Sequence, residues 1–274
     1  MAPAVRVAQT KAAADMAAVT RTPSKPATTR HGQTLQRHAG RVRKFHAAVY
    51  SSVLLLAFTG WWLYVGGEGN PTPLARATGI PDTRLHIWIG RALVVLLVIP
   101  LVAGRKGIAT FVRESLRFDR GDGAWWRRWP AAVFTGRFAR HEGDFDPGQR
   151  IANVGIVAGV VVLVASGLAM TWLHGGTVFA VLAKMHLIVA ALLTALLAGH
   201  ILIASGVFPG YRGVWRSMHG GRVSEKTARR LWPGWAERHI SKDVGRTPLA
   251  HTSPAVSVKP AERRRTPPPR PRQP

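Results

Sequence analysis

The chain has 274 residues, a formal net charge of +25 at pH 7, 47% hydrophobic residues and no cysteine. The absence of cysteine excludes disulfide bonds, iron–sulfur clusters, thiolate-bound zinc and covalently attached c-type haem within this chain. Its charge is typical of nucleic-acid-binding proteins. Its long apolar segments argue against that class, although the mean hydropathy is only +0.05 because the remaining sequence is polar and basic.

Four almost uncharged segments predict membrane-spanning helices. A helix of about 20 apolar residues is long enough to cross the hydrocarbon core of a bilayer. The predicted spans are 45–65, 85–104, 151–173 and 187–208. The predicted fold class is therefore all-α, an integral membrane four-helix bundle.

The distribution of lysine and arginine predicts the orientation of this bundle. Residues 1–44 hold nine of them, 105–150 hold ten, and the segment from 209 onward holds fifteen. The connections 66–84 and 174–186 hold only two and one. Because basic residues accumulate on the cytoplasmic side, both termini and the central connection are expected in the cytoplasm.

The composition divides the chain into three parts. Residues 1–36 have no continuous apolar stretch and predict a disordered tail rather than a signal peptide, with an organellar transit peptide as the alternative. The membrane domain is expected at 37–240. Residues 241–274 are rich in proline and arginine and predict a second disordered tail.

Two stretches outside the spans predict interfacial helices. In GIATFVRESLRF, apolar and basic residues alternate at helical spacing, and three tryptophans follow within the 105–150 connection. A similar stretch covers 223–239. Tryptophan at headgroup level, with arginine toward anionic lipid, is typical of membrane anchoring. A docking surface for a partner is the alternative. The tryptophans concerned are Trp125, Trp126, Trp129, Trp232 and Trp235.

Four of the eleven histidines lie within or at the edges of the predicted spans: His46, His86, His186 and His200. Ionisable side chains are costly there and usually functional. His186 and His200 are 14 residues apart, which is about four helical turns, so both imidazoles share one helix face about 21 Å apart. Such a spacing favours two separate centres at different depths.

The direction of each span predicts which histidines pair. His46 starts the first span and lies on the cytoplasmic side, whereas His86 starts the second span near the outer face. His46 therefore pairs with His200 around an inner iron, and His86 with His186 around an outer iron. Bis-imidazole ligation of two b haems is the predicted chemistry. Zinc is the main alternative metal, but it needs three or four converging ligands. The methionines available as alternative ligands are Met170, Met185 and Met218.

Three further residues are candidates for haem contact. Gly60 lies 14 residues beyond His46, at the depth of the outer haem, and Gly90 is one turn from His86. A missing side chain would let a flat macrocycle approach the backbone; close helix packing is the alternative. Arg91 could pair with a haem propionate or extend to the membrane surface.

The start of the third span predicts a quinone site. In FDPGQRIANVG, a turn containing Pro147 and Gly148 brings Gln149 and Asn153 to the membrane edge beside the inner haem, with Asp146 preceding them. Amide and carboxylate groups at that boundary suit a quinone that collects electrons and protons. A polar helix cap is the alternative.

Together these motifs resemble the cytochrome b (gamma) subunit of membrane-bound formate dehydrogenase, within the wider class of di-haem four-helix bacterial cytochromes b. The resemblance covers roughly residues 37–239. It rests on RKFH ending at His46, RLH ending at His86, DPGQ at 146–149, the pair His186 and His200, and the stretches PGYRGVWRSMHGGRVS and WPGWAERH after the last span.

The resemblance implies two b haems with the same ligand pairing. It also implies a quinone pocket built on an N-x-G-Q turn, which Gly148 and Gln149 match. Asp146 stands where that family has asparagine, which leaves the quinone contact at this position open.

The resemblance further implies partners and a location. An iron–sulfur subunit and a molybdenum- or tungsten-dependent catalytic subunit would oxidise formate outside the bacterial inner membrane. Their electrons would reach the outer haem, then the inner haem, and reduce quinone with cytoplasmic protons. The alternatives are the cytochrome b of a hydrogenase or thiosulfate/polysulfide reductase, a stand-alone b561-type quinone oxidoreductase, and a haem-free transporter or anchor with proton-relaying histidines.

Overall fold

The structure is a computed structural model that describes residues 34–66, 70–173 and 175–246. The predicted tails 1–36 and 241–274 therefore lie mostly outside the described residues.

Four long helices form the membrane part and confirm the predicted all-α bundle. Each is long and apolar enough to cross a membrane. The last one begins at Gly176, eleven residues before the predicted span, so His186 lies well inside a helix rather than at its start. The four are α1 (Gly40–Val65), α3 (Asp82–Ala103), α6 (Pro147–Met170) and α7 (Gly176–Ala204).

Shorter elements connect and follow these helices. One short helix, α2 (Pro73–Thr78), lies in the first connection, and Thr72 caps it by accepting a hydrogen bond from the backbone N–H of Ala75. The others are β1 (Thr34–Gln36), α4 (Arg105–Ser115), α5 (Asp122–Thr135), a 3₁₀ turn (Pro209–Tyr211), α8 (Arg216–His219), β2 (Arg222–Ser224), α9 (Glu225–Leu231) and α10 (Pro233–Arg246).

The bundle consists of two helix pairs. α1 packs along α3, and α6 packs along α7, while the pairs meet chiefly where α3 approaches α6. A small core of Leu93, Val160 and Leu193 joins them. Gly155 allows the close approach of α6 and α7, because a Cβ there would stand only 2.8 Å from Leu196 Cδ2. Small residues are the usual means of helix contact in lipid.

At one end of the bundle lies a cap made of residues 34–39, 116–146 and 205–246. β1 and β2 pair antiparallel, with Leu35 opposite Val223, and so join the two described ends of the chain. β1 falls within the last three residues of the predicted N-terminal tail. α10 continues to Arg246, beyond the predicted domain end at residue 240.

The cap has its own hydrophobic core, which includes most of the predicted interfacial tryptophans. Trp125, Trp232 and Trp235 are at most 4% exposed. Their burial differs from the predicted headgroup placement, because the cap elements pack on these rings. α4 fits the interfacial expectation better: Phe111 packs on Phe145 at 5.9 Å between ring centres, while its basic residues Arg105, Lys106 and Arg113 are exposed.

Candidate functional site

At the far end of the bundle, opposite the cap, two of the predicted histidines face each other. His86 of α3 and His186 of α7 have ring centres 6.3 Å apart and ring planes at 70°. Both side chains are half-buried. The structure therefore brings together the pair that helix direction and depth predicted for the outer site.

Each of these imidazoles is held by a buried hydroxyl. Thr59 Oγ1 of α1 lies 2.9 Å from His86 Nδ1, and Ser166 Oγ of α6 lies 2.9 Å from His186 Nδ1. Thr59 and Ser166 are 0% and 1% exposed. These contacts occupy the Nδ1 atoms and leave Nε2 of each ring for another ligand. Sequence reasoning missed both hydroxyls, since single Thr and Ser residues in apolar helices carry no distinctive pattern.

Each hydroxyl is followed by a glycine that receives the imidazole edge. A Cβ at Gly60 would stand 3.1 Å from His86 Cε1, and a Cβ at Gly167 would stand 3.3 Å from His186 Cε1. Gly60 thus lies at the predicted outer site, but its neighbour in the structure is the histidine ring. Gly167 was not predicted.

The spacing of the far-end pair would allow both imidazoles to hold one metal ion. Two metal–nitrogen bonds of about 2 Å, with the offset from each nitrogen to its ring centre, place the ring centres about 6 Å apart. The observed 6.3 Å agrees with this. Among the described residues, no three His, Asp or Glu side chains form a group that could hold a metal ion. Two imidazoles on opposite sides of one iron are the ligand set of a b-type haem.

The second predicted pair lies at the cap end. His46 is the seventh residue of α1, and His200 lies four residues before the end of α7. Both are half-buried, and each lies toward the cap end of its helix. The ring of His46 also lies 5.7 Å from that of Tyr50. Within the described ranges, neither imidazole has a hydrogen-bonding hydroxyl like those at the far end.

The other two haem-contact candidates are Gly90, which packs against a neighbouring helix, and Arg91, which lies on the surface. A Cβ at Gly90 would make a normal contact of 3.9 Å with Leu56 Cδ2, which fits packing of α3 on α1. The Arg91 side chain is exposed on the bundle surface.

The predicted quinone residues form the start of α6. Asp146 caps this helix: its Oδ1 accepts from the backbone N–H of Gln149 at 2.9 Å, and the Gln149 side chain accepts from the Asp146 N–H. Gln149 Oε1 also accepts from Trp232 Nε1 at 2.7 Å. Asp146 is 5% exposed. Burial raises its pKa, although hydrogen bonds from the Gln149 and Gly148 backbones oppose the rise.

The neighbouring quinone candidates also contact other elements. Gly148 lies under Trp125, where a Cβ would come within 3.0 Å of the indole ring. Asn153 donates to Ser115 Oγ of α4 at 3.1 Å. The polar start of α6, which is the alternative to a quinone site in the sequence, is therefore present. Its side chains join the cap to the membrane helices.

Two arginines that sequence reasoning missed hold this junction. Arg150 is 3% exposed and pairs with Asp122 at 2.9 Å and Asp119 at 3.0 Å. The Arg37 guanidinium lies between the rings of Trp232 and Trp235, at 4.4 and 4.5 Å from their centres. Burial lowers the pKa of Arg37 to about 10. Such contacts join residues far apart in sequence, so no local pattern reveals them.

Four membrane helices with a facing imidazole pair at the far end and two further histidines toward the cap end resemble the arrangement of a membrane-bound b-type cytochrome. Residues 37–221, more than half of the chain, match the family model described as prokaryotic cytochrome b561. The chain belongs to the prokaryotic cytochrome b561 family, and is a multi-pass membrane cytochrome that binds haem b and transfers electrons. No curated protein matches the chain. The predicted cytochrome b class is confirmed, and the narrower formate dehydrogenase assignment stays a prediction.

Proposed function

We propose that this chain is the membrane-anchoring di-haem subunit of a formate dehydrogenase-type oxidoreductase in the bacterial inner membrane. It would accept electrons at the far end of the bundle and deliver them to quinone at the cap end. The observation that carries the proposal is the facing pair of His86 and His186 at 6.3 Å, with His46 and His200 near the opposite end.

The chain's own residues supply the ligands and the surroundings for two haems. Haem b, when bound, supplies reversible one-electron chemistry. His86 and His186 would hold one group through Nε2, and His46 and His200 the other. The apolar helix surfaces keep water away from both levels, which favours neutral imidazoles able to bind a metal.

The charge distribution supports a cytoplasmic cap. Both described ends of the chain lie in the cap, and the segments that form it carry 16 of the chain's 38 lysines and arginines. Basic segments are retained on the cytoplasmic side. Electron entry at the far end and quinone reduction at the cap end would then occur on opposite faces of the membrane.

Quinone would bind at the start of α6. Asp146 is supported by its place at the cap end of α6, the same end of the bundle as His46 and His200, and by its burial, which raises the pKa of its carboxyl. A quinone that contacts Gln149 would have to replace its hydrogen bond from Trp232. Gly148 and Asn153 lie on the first two turns of the same helix.

The partners are proposed from the resemblance to the formate dehydrogenase subunit: an iron–sulfur subunit and a molybdenum- or tungsten-dependent catalytic subunit. The family match also supports a second candidate, a stand-alone b561-type quinone oxidoreductase. Purification from native membranes separates the two, since only the first would copurify with iron–sulfur and molybdopterin proteins and show formate-dependent haem reduction.

Single substitutions of the histidines test the haem assignment. His200→Ala should lose the cap-end haem and quinone reduction, while the far-end haem stays reducible. His86→Ala should lose the far-end haem and keep the cap-end haem. His219→Ala, at an exposed site in the cap, is the matched control and should keep both. Full haem content in all four ligand variants would contradict the assignment.

A further inference from the structure

The two helix pairs of the bundle have the same arrangement of side chains at the far end. In each pair a hydroxyl residue followed by glycine faces a histidine on the partner helix: Thr59–Gly60 of α1 faces His86, and Ser166–Gly167 of α6 faces His186. Both hydroxyl–Nδ1 distances are 2.9 Å. Both glycines lie against the Cε1 edge of the ring. Because the same hydroxyl–glycine arrangement occurs in both helix pairs, it indicates a specific structural feature rather than incidental packing.

The direction of the hydrogen bonds follows from the carbonyls that each hydroxyl also contacts. Thr59 Oγ1 lies 2.9 Å from the carbonyl oxygen of Leu55, and Ser166 Oγ lies 2.7 Å from that of Val162. A carbonyl oxygen only accepts, so the single hydroxyl proton is directed to it. With its proton on the carbonyl side, each hydroxyl oxygen accepts from the imidazole Nδ1–H, in the tautomer that leaves Nε2 for a metal.

This directionality determines the state of both histidines. If the hydroxyl accepts, Nδ1 carries the proton, and in a neutral imidazole Nε2 then keeps its lone pair. Hydroxyls that are at most 1% exposed cannot turn to water instead. The glycines let the rings lie against the helices, which limits their rotation. Both rings are thus prepared to bind a metal through Nε2 before the metal arrives.

We propose that Thr59 and Ser166 are positioning residues that fix the tautomer and ring orientation of His86 and His186 and lower the reduction potential of the far-end haem. The proposal rests on the proposed assignment of that haem to these two histidines. Accepting a hydrogen bond from Nδ1–H makes the ring a stronger electron donor. Stronger donation favours ferric iron over ferrous iron.

The cap-end pair provides a comparison within one molecule. In the described part of the chain, His46 and His200 have no such hydroxyl, so this lowering acts on the far-end haem alone. A difference of this sign would direct electrons from the far end toward the cap, which is the direction of the proposed function.

The test uses the full-length purified protein carrying Thr59→Val or Ser166→Ala. Haem content, the midpoint potential of each haem and the low-temperature EPR spectrum of the oxidised haems are measured. We expect the far-end midpoint to rise, its EPR signal to change, and its haem affinity to fall by about tenfold or more. The cap-end haem should keep its potential. Ser166→Ala removes only one oxygen atom and tests the proposal even if Thr59→Val fails to fold.

Two kinds of control make the result specific. Thr59→Ser and Ser166→Thr keep the hydroxyl and should retain the wild-type far-end potential. Thr194→Val removes a hydroxyl of the same bundle that accepts from Trp61 Nε1 at 3.0 Å and donates to the carbonyl of Ala190, and it should leave the far-end haem unchanged.

Unchanged potentials and EPR spectra in Thr59→Val and Ser166→Ala would overturn the proposal, as would an equal shift in Thr194→Val. Neither result would affect the ligand assignment. By contrast, a far-end haem that persists in His86→Ala would refute that assignment, and with it both proposals.

Discussion

The bundle and the cap differ in which kinds of side chain they bury. In the bundle, large apolar side chains such as Val95 and Leu192 are 66% and 67% exposed, while the fully buried side chains include the hydroxyls of Thr59 and Ser166. In the cap, Trp232 is buried at 2% exposure, and Asp122 is buried where it pairs with Arg150 at the start of α6.

The difference follows from the solvent of each region. Lipid is as apolar as the side chains it touches, so apolar burial drives little association in the bundle, and contact depends on small residues and interhelical hydrogen bonds. The cap elements are not among the four candidate spans, and outside the hydrocarbon core burying an indole ring removes a large apolar area from water. The histidine sites therefore lie where few contacts hold a side chain in place. Each hydrogen bond to an imidazole is then important for the orientation of the ring.

The largest predicted effect tests the cap side of this comparison. Arg150→Met should destabilise the cap by about 3–5 kcal/mol, because it leaves the buried carboxylate of Asp122 without its charged partner. Asp119 would keep its ion pair with Arg117. Hydrogen exchange should show faster exchange of the α9 and α10 amides. The amides in the middle of α3 and α7 should stay protected.

The control is Arg127→Met, since Arg127 is exposed on α5. It should leave exchange in the cap within error of the wild type. Equal loss of protection in the bundle and the cap of Arg150→Met would show that the two regions do not differ as described.

A smaller effect is expected from Gly60→Ala in the bundle. The new Cβ would stand 3.1 Å from His86 Cε1, so the ring or the helix must shift by a few tenths of an ångström. Overpacking of this kind costs about 1–3 kcal/mol, and the far-end haem should be lost first. The measurement is haem retention on heating. Gly107→Ala, where a Cβ would meet nothing within 4 Å, should retain haem like the wild type; equal retention in Gly60→Ala would contradict the prediction.

The smallest predicted effect concerns the pH dependence of the cap. Burial, with the nearby charges of Arg37, His46 and Arg43, lowers the pKa of His38 from 6.5 to about 4. Between these values the unfolded chain binds the proton and the folded chain does not, so stability rises with pH through this window and is lost as pH falls from 6.5 to 4.

Between pH 4 and 6.5, the free energy of unfolding of His38→Gln should vary by about 1 kcal/mol less than that of the wild type. This figure allows for screening of the charge near the surface. Thermal unfolding at several pH values between 4 and 7 measures the slope. His219→Gln, an exposed histidine of the same cap, should keep the wild-type slope. An identical slope in His38→Gln would show that this histidine is not responsible.

The sequence was sufficient for the membrane part because hydropathy and helix periodicity act locally. The four spans and the meeting of His86 with His186 follow from apolar length, span direction and a 14-residue spacing. Thr59 and Ser166 could not be found in this way. Their contacts depend on how α1 meets α3 and α6 meets α7, which no single segment encodes.

The cap was harder to predict for the same reason. Trp232 and Trp235 follow a basic, amphipathic pattern that suits an interfacial helix equally well. Only the three-dimensional arrangement shows that they enclose Arg37. The turn at Asp146 was identified correctly as a polar helix start, but its quinone role stays a prediction.

The amount of haem b bound per polypeptide in the intact purified protein tests the two-haem assignment directly. It is measured by the pyridine haemochrome spectrum together with protein quantitation. We predict two haems b per chain, which titrate as separate centres. A protein that folds into its four helices but binds no haem, or only one, would contradict this assignment.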